Sequence, residues 1–260
     1  MSMSFQIGVL ATMGTSPPII TEFLQYLELK GIVPHNIILI STRDKTVRES
    51  TLFARAAIRN RYRKTRVSIR EVDVEDVDTE EKLFKFLEDA TEVMWRARVN
   101  NHILYVNIAG GRMTMAMSVA LLAQMIGVNG VYHVIMPDVK TFNIKLERIR
   151  KEIEDLAKLK DEKEQVEFYA KNKKIFDDVM FPPPSEYNVI RLPLLPMPRD
   201  VLVKIARMLS DVKAKIDPAL PKDILEHLEM SGIIKRAKDL AYVTEFGRKI
   251  GAILKSVLMI

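Results

Sequence analysis

Along the first 136 residues the hydrophobic pattern switches period repeatedly. Short apolar runs at 6–12, 36–41, 66–72, 102–108 and 130–136 are each rich in Val, Ile or Leu and read as buried strands. Between them, stretches at 17–30, 46–62, 79–97 and 114–126 place apolar residues three or four apart, the spacing of one helix face. Strand and helix alternating in this way predict a mostly parallel sheet with helices on both faces, joined by right-handed crossovers. The expected fold class is α/β, with a Rossmann-like three-layer domain over residues 1–147.

The pattern then changes. From Leu146 to Asp178 the chain is highly charged, with runs such as Lys160-Asp161-Glu162-Lys163-Glu164, and reads as an exposed or partner-packed helix. Pro182, Pro183 and Pro184 end it, and with Pro193, Pro196 and Pro198 they predict a stiff extended connection. Residues 148–197 are accordingly expected to be a charged helix and proline-rich linker. Beyond it, helices are expected at 198–209 and 219–231, strands at 233–235 and 240–243 around the tip Arg236-Ala237-Lys238-Asp239, and a last helix at 245–258. Helix, turn, helix and then hairpin is the order of a winged helix-turn-helix, so 198–260 is read as a smaller domain of that type.

Composition removes several chemistries. Cysteine is absent, which excludes disulfides, thiolate catalysis and Cys-based metal sites. The four histidines, His35, His102, His133 and His227, are scattered, so no local metal-ligand spacing exists. No metal and no cofactor is expected. Glutamine is confined to Gln6, Gln25, Gln124 and Gln165 while Lys, Arg and Glu abound, a composition associated with thermophiles. The opening segment lacks a basic region and cleavage site, and no run of 18 apolar residues occurs, so a soluble, cytoplasmic protein without membrane contact is expected. The formal net charge is +6. Residues 190–260 hold 13 basic and 8 acidic groups, against 18 and 16 in 1–147. A basic C-terminal part is compatible with a nucleic-acid partner and equally with a solvated surface.

Two loops carry candidate chemistry. Met13-Gly14-Thr15-Ser16-Pro17-Pro18 follows the first strand, and Ala109-Gly110-Gly111-Arg112-Met113-Thr114 follows the fourth. In an open parallel sheet ligands sit beyond the carboxyl ends of the strands, and each loop runs directly into a helix whose first N–H groups lack intrahelical partners. Both suit phosphate. Neither contains G-x-G-x-x-G or a P-loop, which weakens dinucleotide and nucleotide-sugar enzyme readings.

The stretch Leu10-Ala11-Thr12-Met13-Gly14-Thr15-Ser16-Pro17, with Thr21-Glu22-Phe23-Leu24 after it, and the stretch Asn107-Ile108-Ala109-Gly110-Gly111-Arg112-Met113-Thr114 together resemble the CARF domains of CRISPR-associated proteins. The likeness is greatest to the archaeal ring nucleases of type III CRISPR systems. The resemblance implies a homodimer that binds cyclic oligoadenylate, usually the tetra-adenylate, across its twofold axis, in antiviral signalling. It also fits the C-terminal part, since several CARF proteins end in a winged helix-turn-helix. It implies ligand contacts from Met13, Gly14, Thr15, Ser16, Gly110, Gly111, Arg112, Met113 and Thr114, with Ser16 and Arg112 serving catalysis at the scissile phosphate.

Each residue also has a plainer role. Ser16 before Pro17 is a natural helix N-cap, the glycines suit tight turns, Thr15 and Thr114 suit helix ends, and Arg112 suits a surface ion pair. Met113 departs from the ring nucleases, which have lysine there, and a thioether offers a phosphate no charge. Lys140 and Lys145 are the nearest substitutes in sequence. In the C-terminal part the helix near 221–231 exposes Asp223, Glu226 and Glu229, which would repel DNA, so Lys235, Arg236 and Lys238 of the wing are the expected DNA contacts. Two readings remain open at this point: a metal-independent ring nuclease, and a ligand-gated DNA-binding regulator without nuclease activity.

Overall fold

The structure, a computed structural model, describes residues 5–195 and 197–260. The chain divides into two compact units at Leu194 and Leu195, with the short stretch 124–126 grouped with the second.

The first unit is built on alternating strands and helices: β1 (Ile7–Thr12), α1 (Pro18–Leu29), β2 (Asn36–Ser41), α2 (Lys45–Arg61), β3 (Arg66–Glu71), α3 (Glu80–Asn100), β4 (Ile103–Asn107), α4 (Met113–Ile126) and β5 (Gly130–Ile135). These five strands pair in parallel in the order β3-β2-β1-β4-β5. Leu10 of β1 sits opposite Ile38 of β2 and Val106 of β4 on one face, and Val9 opposite Ile37 and Tyr105 on the other, so the centre of the sheet is largely apolar on both faces. Strand order reverses at β1: the chain moves outward to β2 and β3, then returns to place β4 on the other side. The carboxyl ends of β1 and β4 are therefore neighbours, and the loops leaving them diverge to open a crevice.

Residues 148–192 fold differently from the expected single charged helix and linker. After α5 (Val139–Arg148) come three short helices, α6 (Arg150–Lys158), α7 (Glu162–Lys171) and α8 (Lys173–Met180), then a 3-10 turn at Pro184–Glu186 and strand β6 (Asn188–Leu192). Their sparse apolar residues Ile153, Leu156, Tyr169 and Phe176 are buried in the same core as Phe53 of α2. The Phe53 ring lies 5.5 Å from Tyr169 and 5.0 Å edge-on to Phe176. Charged residues take the outer faces, where Arg59 meets Glu162 at 3.0 Å and Arg55 donates to Gln165 at 2.7 Å. A dense run of charge hid the inward face because only one or two positions per turn point in. β6 adds to the sheet antiparallel to β5, pairing Val131 with Leu192 and His133 with Ile190. The three consecutive prolines end before it and leave its backbone donors intact.

The second unit contains α9 (Arg199–Met208), β7 (Lys213–Lys215), α10 (Lys222–Met230), β8 (Ile234–Ala237), β9 (Leu240–Val243) and α11 (Glu245–Leu258). The expected hairpin is present as β8 and β9. The helices before it are not joined by a simple turn, because strand β7 intervenes and pairs with β9, making a three-stranded sheet in the order β7-β9-β8. With only Ala214 pointing inward, a three-residue strand is too short to give a period in the sequence. The core gathers Leu209, Leu225, Leu228, Ile234, Val243 and Leu258. Thr244 caps α11, accepting from Gly247 N at 3.0 Å. Among the described residues no helix is long and apolar enough to cross a membrane.

Candidate functional site

The two loops expected to bind phosphate meet backbone to backbone. The Thr12 hydroxyl donates to Gly110 O at 2.7 Å, and Met13 N donates to Ile40 O at 2.8 Å. A Cβ on Gly110 would lie 2.1 Å from Thr12 O, and one on Gly14 would lie 2.6 Å from Gly111 N. Gly111 has φ 84°, a left-handed conformation that side chains resist. Asn107, wholly buried, ties the second loop to α1: its amide donates to Ile19 O at 3.0 Å and its carbonyl oxygen accepts from Ala109 N at 3.0 Å.

Between these loops lies a cleft of about 510 Å³, lined by Met13, Gly14, Thr15, Ser16, Gly110, Gly111 and Arg112. Met113 and Thr114, expected beside them, do not line it. Met113 is 78% exposed at the start of α4, and Met115, two residues further along the helix, reaches the cleft instead. The Thr114 hydroxyl donates to Val77 O at 3.1 Å. Lys140 and Lys145 are likewise outside the cleft lining, and Lys145 pairs with Asp178 at 3.6 Å.

Ser16 does not cap α1. The helix starts at Pro18 with Pro17 in the capping position and no side-chain cap bond. Among the described residues the half-buried Ser16 hydroxyl has no hydrogen-bond partner, which leaves it available to whatever enters the cleft. Arg112 is engaged: its Nε donates to Asp76 Oδ1 at 3.0 Å and its Nη2 to Asp76 Oδ2 at 2.6 Å.

A further wall comes from Thr42 and Asp44 in the loop after β2, Val47 at the start of α2, and Glu75 and Asp76 in the loop after β3. Reading the sequence missed them, since neither loop holds glycine or a phosphate-binding pattern. Only the general rule that all strand-end loops face the same crevice points to them. Asp44 is already used as the cap of α2, accepting from Val47 N at 2.9 Å. Three carboxylates line the cleft, yet among the described residues no three His, Asp or Glu side chains converge to hold a metal ion.

On the β8–β9 hairpin, Lys235 and Lys238 are exposed, whereas Arg236 is tied down. Its Nε donates to Glu229 Oε2 at 2.6 Å and its backbone N to Glu229 Oε1 at 3.1 Å. The guanidinium beside Glu229 holds that carboxyl below the usual range.

A mostly parallel sheet whose strand order reverses beside two interlocked glycine loops defines a Rossmann-like fold of the CARF type. The chain belongs to the family of CRISPR-associated protein NE0113, whose model matches residues 16–227. It is 26% identical over 159 residues to the CRISPR system ring nuclease SSO2081 of Saccharolobus solfataricus, covering 60% of this chain and 84% of the relative. Among solved structures it is similar to Enterococcus italicus Csm6 bound to cyclic hexa-2'-fluoro-hexa-dAMP, with a TM-score of 0.50 and 12% identity, over 79% of this chain and 47% of that one. The chain thus spans about half the length of Csm6, and the likeness speaks to the fold alone. Can2 from Sulfobacillus thermosulfidooxidans, in complex with cyclic tetra-adenylate, matches at a TM-score of 0.37 and 12% identity over 95% of this chain and 63% of that one, too low to argue from.

Proposed function

We propose that the cleft binds a cyclic oligoadenylate, the tetra-adenylate by preference, at the twofold axis of a homodimer, and that the protein opens the ring. The observation that carries this reading is the Ser16 hydroxyl, free of any capping role and placed in the cleft between two interlocked strand-to-helix loops. The ring-nuclease relative, matched over most of its own length, supports it.

Ring opening needs only the substrate's own atoms. A ribose 2'-oxygen attacks the adjacent phosphorus and the bond to the 5'-oxygen breaks. The 2'-proton is lost to solvent or a base, a proton is delivered to the departing 5'-oxygen, and the products carry a 2',3'-cyclic phosphate and a 5'-hydroxyl. The protein holds the attack in line and donates to the phosphate oxygens as charge develops. Ser16 donates one such bond, the first N–H groups of α4 add others, and Arg112 adds a charged fork once it leaves Asp76. No lysine follows Arg112, so the site has fewer donors than the ring nucleases it resembles, and slow turnover is the consequence. Incubating the purified protein with cyclic tetra-adenylate in EDTA and resolving the products tests the reading. Linear products ending in a cyclic phosphate support metal-independent cleavage, an intact but bound ring reduces the function to sensing, and no binding removes the cleft as the site.

The second reading, a ligand-gated DNA-binding regulator, rests on the separate basic C-terminal unit. Its duplex contacts would be Lys235 and Lys238, with Arg236 joining only on release from Glu229. Binding to the protein's own promoter, with and without cyclic oligoadenylate, distinguishes it from the first.

A further inference from the structure

In the second unit the sheet buries one face and presents the other. Ala214, Ala241, Val243 and Ile234 point into the core, so the residues alternating with them face outward. Tyr242 stands on the central strand β9, 41% exposed, directly opposite Lys213 of β7 on one side and Lys235 of β8 on the other. The next row out is Lys215, Leu240 and Ala237. An exposed aromatic ring is thus flanked on both sides by lysines one strand spacing away, with a third lysine beside it. Lys213 Nζ lies 5.6 Å from the ring centroid. Among the described residues Lys213, Lys215 and Lys235 make no ion pair. The row continues past the sheet edge into a groove where Lys204 and Arg207 of α9 join Lys213 and Lys215, together with the carboxylates Asp211 and Asp217.

We propose that this sheet face is a binding platform for single-stranded nucleic acid, in which a base stacks on Tyr242 and the flanking phosphates lie on Lys213, Lys215 and Lys235. Every base has a π-face and every link a negative charge, so an aromatic ring between cations takes a single strand with little regard to sequence. Duplex DNA is set aside because a base must be unpaired to stack on the ring. The site differs from the wing tip: it uses Tyr242, Lys213 and Lys215 and does not need Arg236. It is also independent of the proposed cleft chemistry in the first unit.

The test is fluorescence anisotropy of the full chain with labelled oligo(dT) and oligo(U) 20-mers and a 20-bp duplex, over a salt series. The expected result is single-strand binding that Tyr242→Leu weakens about ten-fold, the scale of one lost stacking contact. Tyr242→Phe keeps the ring and should keep the affinity. Replacing the three lysines by glutamine should reduce the salt slope by roughly 2, at about 0.7 for each phosphate contact on a single strand. Thermal unfolding shows whether each variant is folded, and the conservative Tyr242→Phe separates loss of stacking from loss of structure. Ser16→Ala and Arg112→Ala should leave the titration unchanged, so failure of the cleft reading is visible separately. Binding of duplex as tightly as single strand, or binding lost on Lys238→Asn but retained in Tyr242→Leu, overturns the platform in favour of the wing. Absence of binding to any of the three probes overturns it outright.

Discussion

Arg112 and Asp76 form a two-point pair across the cleft, with donor–acceptor distances of 3.0 and 2.6 Å. The Arg112 side chain is 69% exposed, so the pair adds little to stability. Its significance is occupancy. A planar fork of two N–H groups is the geometry that grips a phosphate, and here a carboxylate of the loop after β3 fills it. The same loop takes the Thr114 hydroxyl through Val77 O, so it straps the start of α4 at two points.

An anion entering the cleft therefore competes with Asp76. Asp76→Asn removes both the competing charge and the repulsion, and is expected to tighten cyclic tetra-adenylate binding about ten-fold, while Arg112→Ala weakens it by roughly 1–3 kcal/mol. Calorimetry on the two variants and their combination decides. Weaker binding in Asp76→Asn would mean that Asp76 positions Arg112 for the ligand and does not withhold it.

The glycines of the two loops are expected to tolerate nothing larger. With Thr12 O only 2.1 Å from where a Cβ would stand, Gly110→Ala forces β1 and the loop after β4 apart, at a cost of about 1–3 kcal/mol or more for overpacking. Gly14→Ala acts at the same contact from the other loop. Gly127 has open space around it and φ 78°, so Gly127→Ala serves as a control that strains the backbone without touching the cleft. Thermal unfolding together with ligand titration should show affinity lost in the first two variants and kept in the third.

The mostly parallel sheet and the two glycine loops were legible because both rest on local signals: apolar runs of strand length alternating with helices, and glycine followed directly by a helix. The last helix, Glu245–Leu258, matches its expected bounds because Thr244 caps it in a way sequence displays. What stayed hidden was tertiary. β6 pairs with a strand more than fifty residues earlier, β7 has one inward residue, and α6 to α8 bury few side chains beneath many charges. In the cleft, Asp76 escaped notice because nothing around it in sequence announces that it will face Arg112. Ser16 had an obvious capping role by its place before two prolines, and the helix starts two residues beyond it.

Glu22 of α1 gives a prediction about pH. The side chain is 1% exposed and its Oε1 has no hydrogen-bond partner, so burial raises its pKa from 4.5 to about 7. Tyr187, pushed up to about 12 chiefly by its own burial, feels the Glu22 charge as well. Between 4.5 and about 7 the folded protein holds a proton on Glu22 that the unfolded chain has released, so stability falls as pH rises through that window and levels off above it. One pKa unit is worth about 1.4 kcal/mol, so the full penalty approaches roughly 3 kcal/mol. Glu22→Gln should match the wild type near pH 4 and exceed it at pH 8 in chemical denaturation. Equal midpoints at both pH values would place Glu22 in a solvated or paired environment.

The last prediction concerns Ser16 and Met113 together. If Ser16 donates to the phosphate as the 2'-oxygen attacks, Ser16→Ala should lower the single-turnover rate about 10²–10³-fold, the scale of losing one donor to a developing oxyanion, with no change in the unfolding midpoint. The rate should be the same in EDTA and in magnesium, because the chemistry asks only for alignment and donors. Met113 is the first residue of α4 and lies outside the cleft lining, but a helical side chain leans toward the helix N-terminus, which here is the rim of the cleft. A lysine at that position has the length to bring an ammonium back to the phosphate, so Met113→Lys should raise the rate and leave affinity nearly unchanged, the mark of an interaction made mainly in the transition state. Should Met113→Lys tighten binding without speeding cleavage, the added charge is held in the ground state alone. Should it slow cleavage, the cleft has been built around Arg112 and Asp76 in a way that a second cation disturbs, and the double variant with Asp76→Asn would then recover the lost rate.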